Sequence, residues 1–435
     1  MLRILDLSGQ SWPAAGITKS TIPRSTIDVD SVMSATKEII AEVRNGSVAS
    51  VLDLTEKFDG IRPAALRVPE AEISKAVSNL DSEFRAALLE AANRVRKVSE
   101  QQLRSRITTN LSPSGSVTTR WIPIDRVGLY VPGGRAAYPS SVIMNVVPAQ
   151  VAGVLSMMIM SPPSKLNNGW PHQAILAAAG LMGVTEIYAV GGAQAIAMAA
   201  YGVGCEPVDF VTGPGNIYVT AAKRALNGLI GIDSEAGPTE VAIIADETAD
   251  PTFVAADLIS QAEHDVVAAA VLITTSKELI AAVGDELKKQ VEVAKHKERI
   301  TAALTGVQSM AVLVDTIEQA VEVANSYAVE HLEIQTKNAK AVAESIRNAG
   351  AIFIGSYSPV SLGDYLAGSN HVLPTGGCAC HSSGLSVESF SKLVTLIEYD
   401  KSALRDSAKF IQTLAINENL PAHWEAVAKR FENNE

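Results

Sequence analysis

Between Tyr138 and about Ile232, small-residue helical stretches alternate with short β-branched runs at Val154 to Met160, Ile187 to Val190 and Phe210 to Val211. This alternation constrains the fold more than any other feature. Strands that recur with helices between them lie side by side in a parallel sheet, the helices serving as crossovers. Each run ends in residues that break it: Ser161-Pro162-Pro163, Gly191-Gly192 and Gly213-Pro214-Gly215-Asn216. Ligands of open α/β sheets bind at such carboxyl ends. A second series follows at Val241 to Ala245, Ala269 to Thr274, Ala311 to Val314 and Ala351 to Ile354, again with helices between. Two similar α/β lobes with open, mainly parallel sheets are expected.

The flanks read differently. Residues 1 to about 28 carry Pro13, Gly16 and Pro23, which interrupt any period, and are expected to be an arm packed on something else. Apolar residues recur at three and four from Ser31 through Val43 and from Ser82 to Arg104, as surface helices require. Trp121 to Tyr130 is strand-like and Val131-Pro132-Gly133-Gly134 breaks it, so a new unit is expected there. After Gly363 the pattern is irregular and glycine-rich through Gly384, and a helical tail starts near Ser402. The expected domains are an arm, 1–28; a first, discontinuous lobe, 29–129 with 238–380; a second lobe, 130–237; and a tail domain, 381–435.

Composition limits the partners. A chain of 435 residues, 47% hydrophobic, can bury two or three cores. A net charge of −11 argues against nucleic acid and leaves small ligands. Cys205, Cys378 and Cys380 are too few for a disulfide scaffold, and a reducing compartment is the default. With no secretory pattern at the N-terminus and no apolar run of ~18 residues, a soluble, cytoplasmic protein away from membranes is expected.

Several constellations carry chemistry. Gln261 and His264, in Ser260-Gln261-Ala262-Glu263-His264-Asp265, place an amide oxygen and an imidazole on one face if the apolar run before them is helical. Imidazole suits zinc, but such a pair needs a carboxylate and a further nitrogen from elsewhere, and a solvated histidine is the plainer reading. Gly213-Pro214-Gly215-Asn216 lets backbone amides approach a pyrophosphate, or is an ordinary tight turn; the chain has no G-x-G-x-x-G. Glu330-His331 joins the two commonest general bases, yet adjacent residues of a regular strand face opposite sides, so both serve one site only where the backbone is irregular. Asp364 and His371 lie in a glycine-rich loop. Cys378-Ala379-Cys380-His381 is too tightly spaced for the usual zinc cluster, and Glu418 and His423 read as solvated tail.

Together these residues resemble the histidinol dehydrogenase family along nearly the whole chain. The blocks that carry the likeness are GLYVPGGRAAYPSS from Gly128, GGAQAI from Gly191, GPGNIYV from Gly213, AGPTEV from Ala236, SQAEHD from Ser260, EHLEI from Glu330 and GDYLAGSNHVLPT from Gly363. The resemblance implies two Rossmann-like lobes with an N-terminal arm and a small helical tail domain. It implies zinc ligands at Gln261, His264, Asp364 and His423, and catalytic bases at Glu330 and His331. Contacts to NAD⁺ fall on Tyr130, Gln194 and Asn216. Contacts to the amino alcohol fall on Thr239, Gln261, His264, His331, Asp364, His371, Glu418 and His423. A homodimer whose tails complete each other's sites is implied as well. The implied reaction is the four-electron oxidation of L-histidinol to L-histidine through a bound aldehyde, with one zinc ion per site and two NAD⁺ in succession.

Some positions depart from the family pattern. Thr239 stands where serine is usual, Val329 replaces a common proline, Phe210 replaces a frequent lysine, and the loop Cys378 to His381 is unusual. Two other readings stay open on sequence alone: a paralogous dehydrogenase of another polar alcohol, such as a sulfonated propanediol, and a non-catalytic α/β binding protein.

Overall fold

The computed structural model describes residues 2–9, 21–25, 28–133, 137–235 and 237–432. Pro13 and Gly16 of the expected arm, residues 134–136 and residue 236 lie outside the described residues.

Strand β1 (Arg3–Asp6) opens the chain, followed by helices α1 (Val29–Asn45), α2 (Val48–Asp59), α3 (Glu70–Ser78) and α4 (Ser82–Gln101). Strands β2 (Ile107–Ser112) and β3 (Gly115–Pro123) form an antiparallel hairpin. The first α/β series runs β4 (Arg126–Tyr130), α5 (Pro139–Ala152), β5 (Ser156–Ser161), α6 (Gln173–Leu181), β6 (Ile187–Ala189), α7 (Gly192–Tyr201), β7 (Phe210–Thr212), α8 (Ile217–Leu226) and β8 (Gly231–Ile232). The second begins β9 (Glu240–Ala245), α9 (Pro251–Ala262), β10 (Ala269–Thr274), α10 (Lys277–Glu292), α11 (Lys297–Thr305) and β11 (Met310–Leu313). It continues α12 (Ile317–Tyr327), β12 (His331–Gln335), α13 (Ala339–Glu344), β13 (Ala351–Ile354) and α14 (Val360–Tyr365). Strand β14 (Ser391–Tyr399) and helices α15 (Lys401–Asn417) and α16 (Pro421–Ala428) end the chain.

Both series form open, wholly parallel sheets. The first is ordered β6-β5-β4-β7-β8 and the second β1-β11-β10-β9-β12-β13. All six residues of β9 and of β10 are buried, as strands covered on both faces must be. Helices α9, α10 and α11 cover one face of the second sheet and α12 and α13 the other.

Three expectations need correction. The irregular arm contains β1, which pairs in parallel with β11 through Arg3 and Met310 at the sheet edge. Its fringe Arg24 then forms an ion pair with buried Glu240 and lies 3.9 Å over the Tyr327 ring. More importantly, residues 29–101 belong with the first sheet, not with 238–380. Ile39, Ile40 and Val43 of α1 share a core with α7 and α8, and Leu88, Ala91 and Val95 of α4 share one with α5 and α6. The cause lies in α7, whose alanine-rich surface is short enough for α1 and α2 to pack closely as a second layer. The first sheet also begins at Arg126, before the Val131-Pro132 break, because the chain turns at Ile124 and Asp125 and not at Tyr130.

Candidate active site

The site forms where two sheet edges meet. From the first sheet comes the carboxyl edge: Tyr130 ends β4, Gly191 and Gly192 follow β6, and Gly213 follows β7. From the second comes the amino edge, since Thr239 precedes β9 and Glu330 precedes β12. A cavity of about 100 Å³ between them is lined by Pro214, Asp233, Thr239, Glu330, His371 and Thr375, among others. A groove of about 1030 Å³ between α12 and α13 is larger, but it sits at the far edge of the second sheet and holds none of the expected bases.

This meeting of edges has an electrostatic consequence. Helices α5 and α7 present their amino ends to the site with no side-chain cap, and α9 presents its carboxyl end with Gln261 in its last turn. Amino ends carry partial positive charge and carboxyl ends partial negative, so one side favours an anion such as a pyrophosphate and the other a cation.

On the first-sheet side two glycines are required. At Gly213 the backbone has φ +108° and a Cβ would lie 2.0 Å from the Tyr130 carbonyl oxygen; at Gly192 φ is +64° and a Cβ would meet the Gln194 amide at 2.7 Å. The Tyr130 hydroxyl accepts from the Gly192 amide at 3.2 Å and keeps its own proton to donate, burial having pushed the phenol far above its ordinary range. Gln194 is buried and its Nε2 has no partner. Asn216 caps α8 by accepting from the Tyr218 and Val219 amides, which leaves its NH2 to offer outward. Beneath the loop, buried Lys223 pairs with Asp233, while donating to the Gly213 carbonyl at 3.1 Å.

On the second-sheet side a hydrogen-bond chain sets every orientation. Gln261 Nε2 donates to Thr239 Oγ1 at 2.6 Å, and that hydroxyl donates to Glu330 Oε2 at 2.6 Å, which also accepts the Glu240 amide at 2.8 Å. With its NH2 so engaged, the buried Gln261 amide turns Oε1 away, and that oxygen has no partner. His331 Nδ1 lies 3.1 Å from the Glu240 carbonyl, which can only accept, so Nδ1 carries the proton. Nε2 is therefore the basic nitrogen of the neutral ring, and it too is buried without a partner.

The backbone irregularity that Glu330-His331 requires is present. Ala328 ends α12 in the left-handed region at φ +48°, and Glu330 stands ahead of β12, outside its alternation. Burial alone would lower the His331 imidazole, but the charge and hydrogen bond of Glu330, the Asp364 charge and the Glu240 carbonyl outweigh it and push it up to about 9. Burial alone would raise Glu330; its partners His331, Thr239 and the Glu240 amide hold it below its ordinary value.

His264 Nε2 and Asp364 Oδ2 face each other at 4.0 Å, too far for a hydrogen bond. Two ligands at about 2.0–2.1 Å from a tetrahedral ion stand roughly 3.4 Å apart, so one imidazole, one carboxylate and one orphaned amide oxygen fit a zinc ion. His371 donates from Nδ1 to the Asp364 carbonyl at 3.0 Å, so its Nε2 accepts from the Ser141 hydroxyl at 3.1 Å; burial pushes its pKa down and keeps it neutral. Among the described residues no three His, Cys, Asp or Glu side chains converge as a metal cluster.

Not every expected residue arrives. Glu418 and His423 are exposed on the tail, outside the site this chain builds. Cys378 and Cys380 stand in a 3₁₀ turn and form no disulfide. Phe210, where lysine is frequent, is buried edge-to-face on Phe390 with ring centroids 6.0 Å apart. Arg24, Glu240, Ser141 and the Lys223–Asp233 pair support the site without having been visible in the sequence. The partners of Arg24 and Ser141 lie far away along the chain, 216 residues off at Glu240 and 230 at His371, while Lys223 and Asp233 are close in sequence but show no pattern that marks a pair.

A family model described as histidinol dehydrogenase matches residues 22–431. A histidinol dehydrogenase of Thermobifida fusca is 59% identical over 418 residues, covering 96% of this chain and 95% of the relative. One of Nocardia farcinica is 56% identical over 434 residues, covering 98% and 97%. The crystal structure of histidinol dehydrogenase from Elizabethkingia anophelis superposes with a TM-score of 0.93 at 33% identity, covering 99% of this chain and 98% of that one.

Proposed function

The chain belongs to the histidinol dehydrogenase family, enzymes of histidine biosynthesis, and from that premise we propose how its residues divide the oxidation of histidinol between them. The observation that carries the reading is the pair of buried, unpartnered polar atoms facing the site, Gln261 Oε1 and His331 Nε2. Gln261, His264 and Asp364 hold the metal. Bound there, zinc would supply a positive charge at which nitrogen lone pairs of the substrate could be held. NAD⁺ would supply the hydride acceptor; Tyr130, Gln194 and Asn216 would hold it, and the uncapped amino ends of α5 and α7 favour an anion such as its pyrophosphate.

His331 acts first. Nδ1 stays protonated on the Glu240 carbonyl, and Nε2 takes the alcohol proton as hydride leaves the carbon. With Asp364 engaged by a cation, its pull on the imidazole is removed, which favours the base form at neutral pH. Glu330, lining the cavity beside Thr239, then draws a proton from the water that attacks the aldehyde. A second hydride leaves and the acid is formed. Neutral His371 orients the substrate through Asp364 and Ser141.

Three side chains leave a metal open to a fourth ligand, and the tail offers one. Helices α15 and α16 pack on each other and α15 on β14, while Phe410, Leu414 and Ile416 remain 70%, 63% and 57% exposed. Apolar surface of this kind is what a second copy would cover. In a homodimer with exchanged tails, His423 completes the metal site of the other chain and Glu418 meets the substrate's charge. The test is NADH formation with histidinol. Two NADH per histidinol, abolished by chelation and restored by zinc, is expected; no NADH from histidinol contradicts the reading.

A further inference from the structure

Beneath the bases lies a buried polar cluster that no step above uses. Glu333 and Gln335 follow His331 at alternate positions of β12 and share its face toward α9 and α14, whereas Leu332 and Ile334 enter the opposite core. Glu333 is 1% exposed. Its Oε1 accepts the Val360 amide in the first turn of α14 at 2.9 Å, and its Oε2 accepts from Gln335 Nε2 at 2.9 Å. The same Nε2 donates to Asp257 Oδ2 of α9 at 2.9 Å. Asp257 Oδ2 and Glu333 Oε2 thus flank one amide nitrogen, and two buried carboxyls brought that close repel unless one of them is protonated.

The placement of these groups is what gives them a role. Asp257 stands one turn before Gln261 on α9, Val360 one turn before Asp364 on α14, and Glu333 two residues after His331 on β12. One point thus ties together the three elements that carry the amide oxygen, the carboxylate and the base. Helix α14 has six residues and no side-chain cap of its own, so Glu333 supplies its cap from another element. Stability alone would be served as well by apolar side chains of similar volume, because burying carboxyls is costly.

We propose that Asp257 and Glu333, bridged by Gln335, are positioning residues that hold α9 and α14 at the separation the metal ligands need. The proposal rests on Gln261, His264 and Asp364 being those ligands. Burial raises both acids, Glu333 to about 8. The other titratable groups on these elements are His331, Asp364 and Tyr365, and the pair is shifted by none of them.

Zinc affinity by chelator competition and the visible spectrum of the cobalt(II)-loaded protein test this in the parent, Glu333→Ala, Glu333→Gln and Asp257→Asn. Glu333→Ala should weaken zinc ~10–100-fold and alter the cobalt spectrum. Glu333→Gln should stay within about threefold at neutral pH, because an amide replaces the protonated acid and the unpartnered Gln335 Oε1 can accept from it. Affinity of the parent should fall above about pH 8, and that fall should vanish in Glu333→Gln. Asp257→Asn should follow Glu333→Gln. Parent affinity and spectrum in Glu333→Ala would overturn the clamp. If that variant does not fold, an unchanged alkaline fall in Glu333→Gln overturns it instead. A parent that takes up no zinc would overturn the metal reading, and the clamp with it.

Discussion

Gln261 Oε1 and His331 Nε2 are the two atoms on which the chemistry turns, and leaving a buried polar atom unpaired costs ~1–3 kcal/mol. Separate substrates distinguish the bases. His331→Asn should slow histidinol oxidation by about 10²–10⁴-fold, whereas Glu330→Gln should spare that step and slow histidinal oxidation by a similar factor. Histidinal oxidised at the parent rate by Glu330→Gln would remove the assignment of water activation. Thr239 gives a second test. Its hydroxyl links Gln261 to Glu330, so Thr239→Val should free the amide and weaken zinc ~10-fold, while Thr239→Ser stays near the parent; chelator competition reads the difference. At this scale the sequence was partly legible. The spacing of Gln261 and His264 is local and could be read, but it gave Thr239 no hint of holding an amide in place. The partnership of Glu333 with Asp257 joins a strand to a helix far apart in the chain, and no periodicity records it.

Among the elements, legibility followed burial. Strand β10 has the bounds its apolar run suggested, 269–274, because a strand covered on two faces must be continuously apolar, and the edge strand β13 matches its run, 351–354, although Ile352 and Ile354 are exposed. Strand β14 escaped notice, since most of its residues are half or wholly exposed and neither face shows a clean alternation. Its register with β3, from Ser391 opposite Pro123 to Tyr399 opposite Gly115, is set by a partner more than 250 residues away. The buried acids and imidazole of the second sheet also give it a pH signature. Glu240, Glu333 and His331 are raised to about 7, 8 and 9. Each binds its proton more tightly folded than unfolded, so its contribution is whole below the ordinary values of 4.5 and 6.5 and is lost as pH rises through the folded value. Glu330, which is lowered, acts the other way and only at acid pH. The metal-free protein should therefore show a lower urea midpoint at about pH 9 than at about pH 6. A midpoint that rises over that range contradicts the account.

At the scale of the whole molecule the two lobes were legible, but their membership was not. Residues 29–101 read as surface helices, and nothing local states which sheet an amphipathic helix covers; the match between α1 and the small residues of α7 decides it. The tail is the mirror case, since α15 and α16 carry Glu418 and His423 away from the site of their own chain. Exchange of tails between two copies is the claim that joins the fold to the chemistry. Mixing a His264→Ala chain with a His423→Ala chain under conditions that let dimers reassort measures it directly. With tails exchanged, one site of each mixed dimer collects both lesions and the other collects neither, so random assortment should restore about a quarter of the parent activity. Tails that serve their own lobe put one lesion in every site, and a mixture as inactive as its two components would contradict the account.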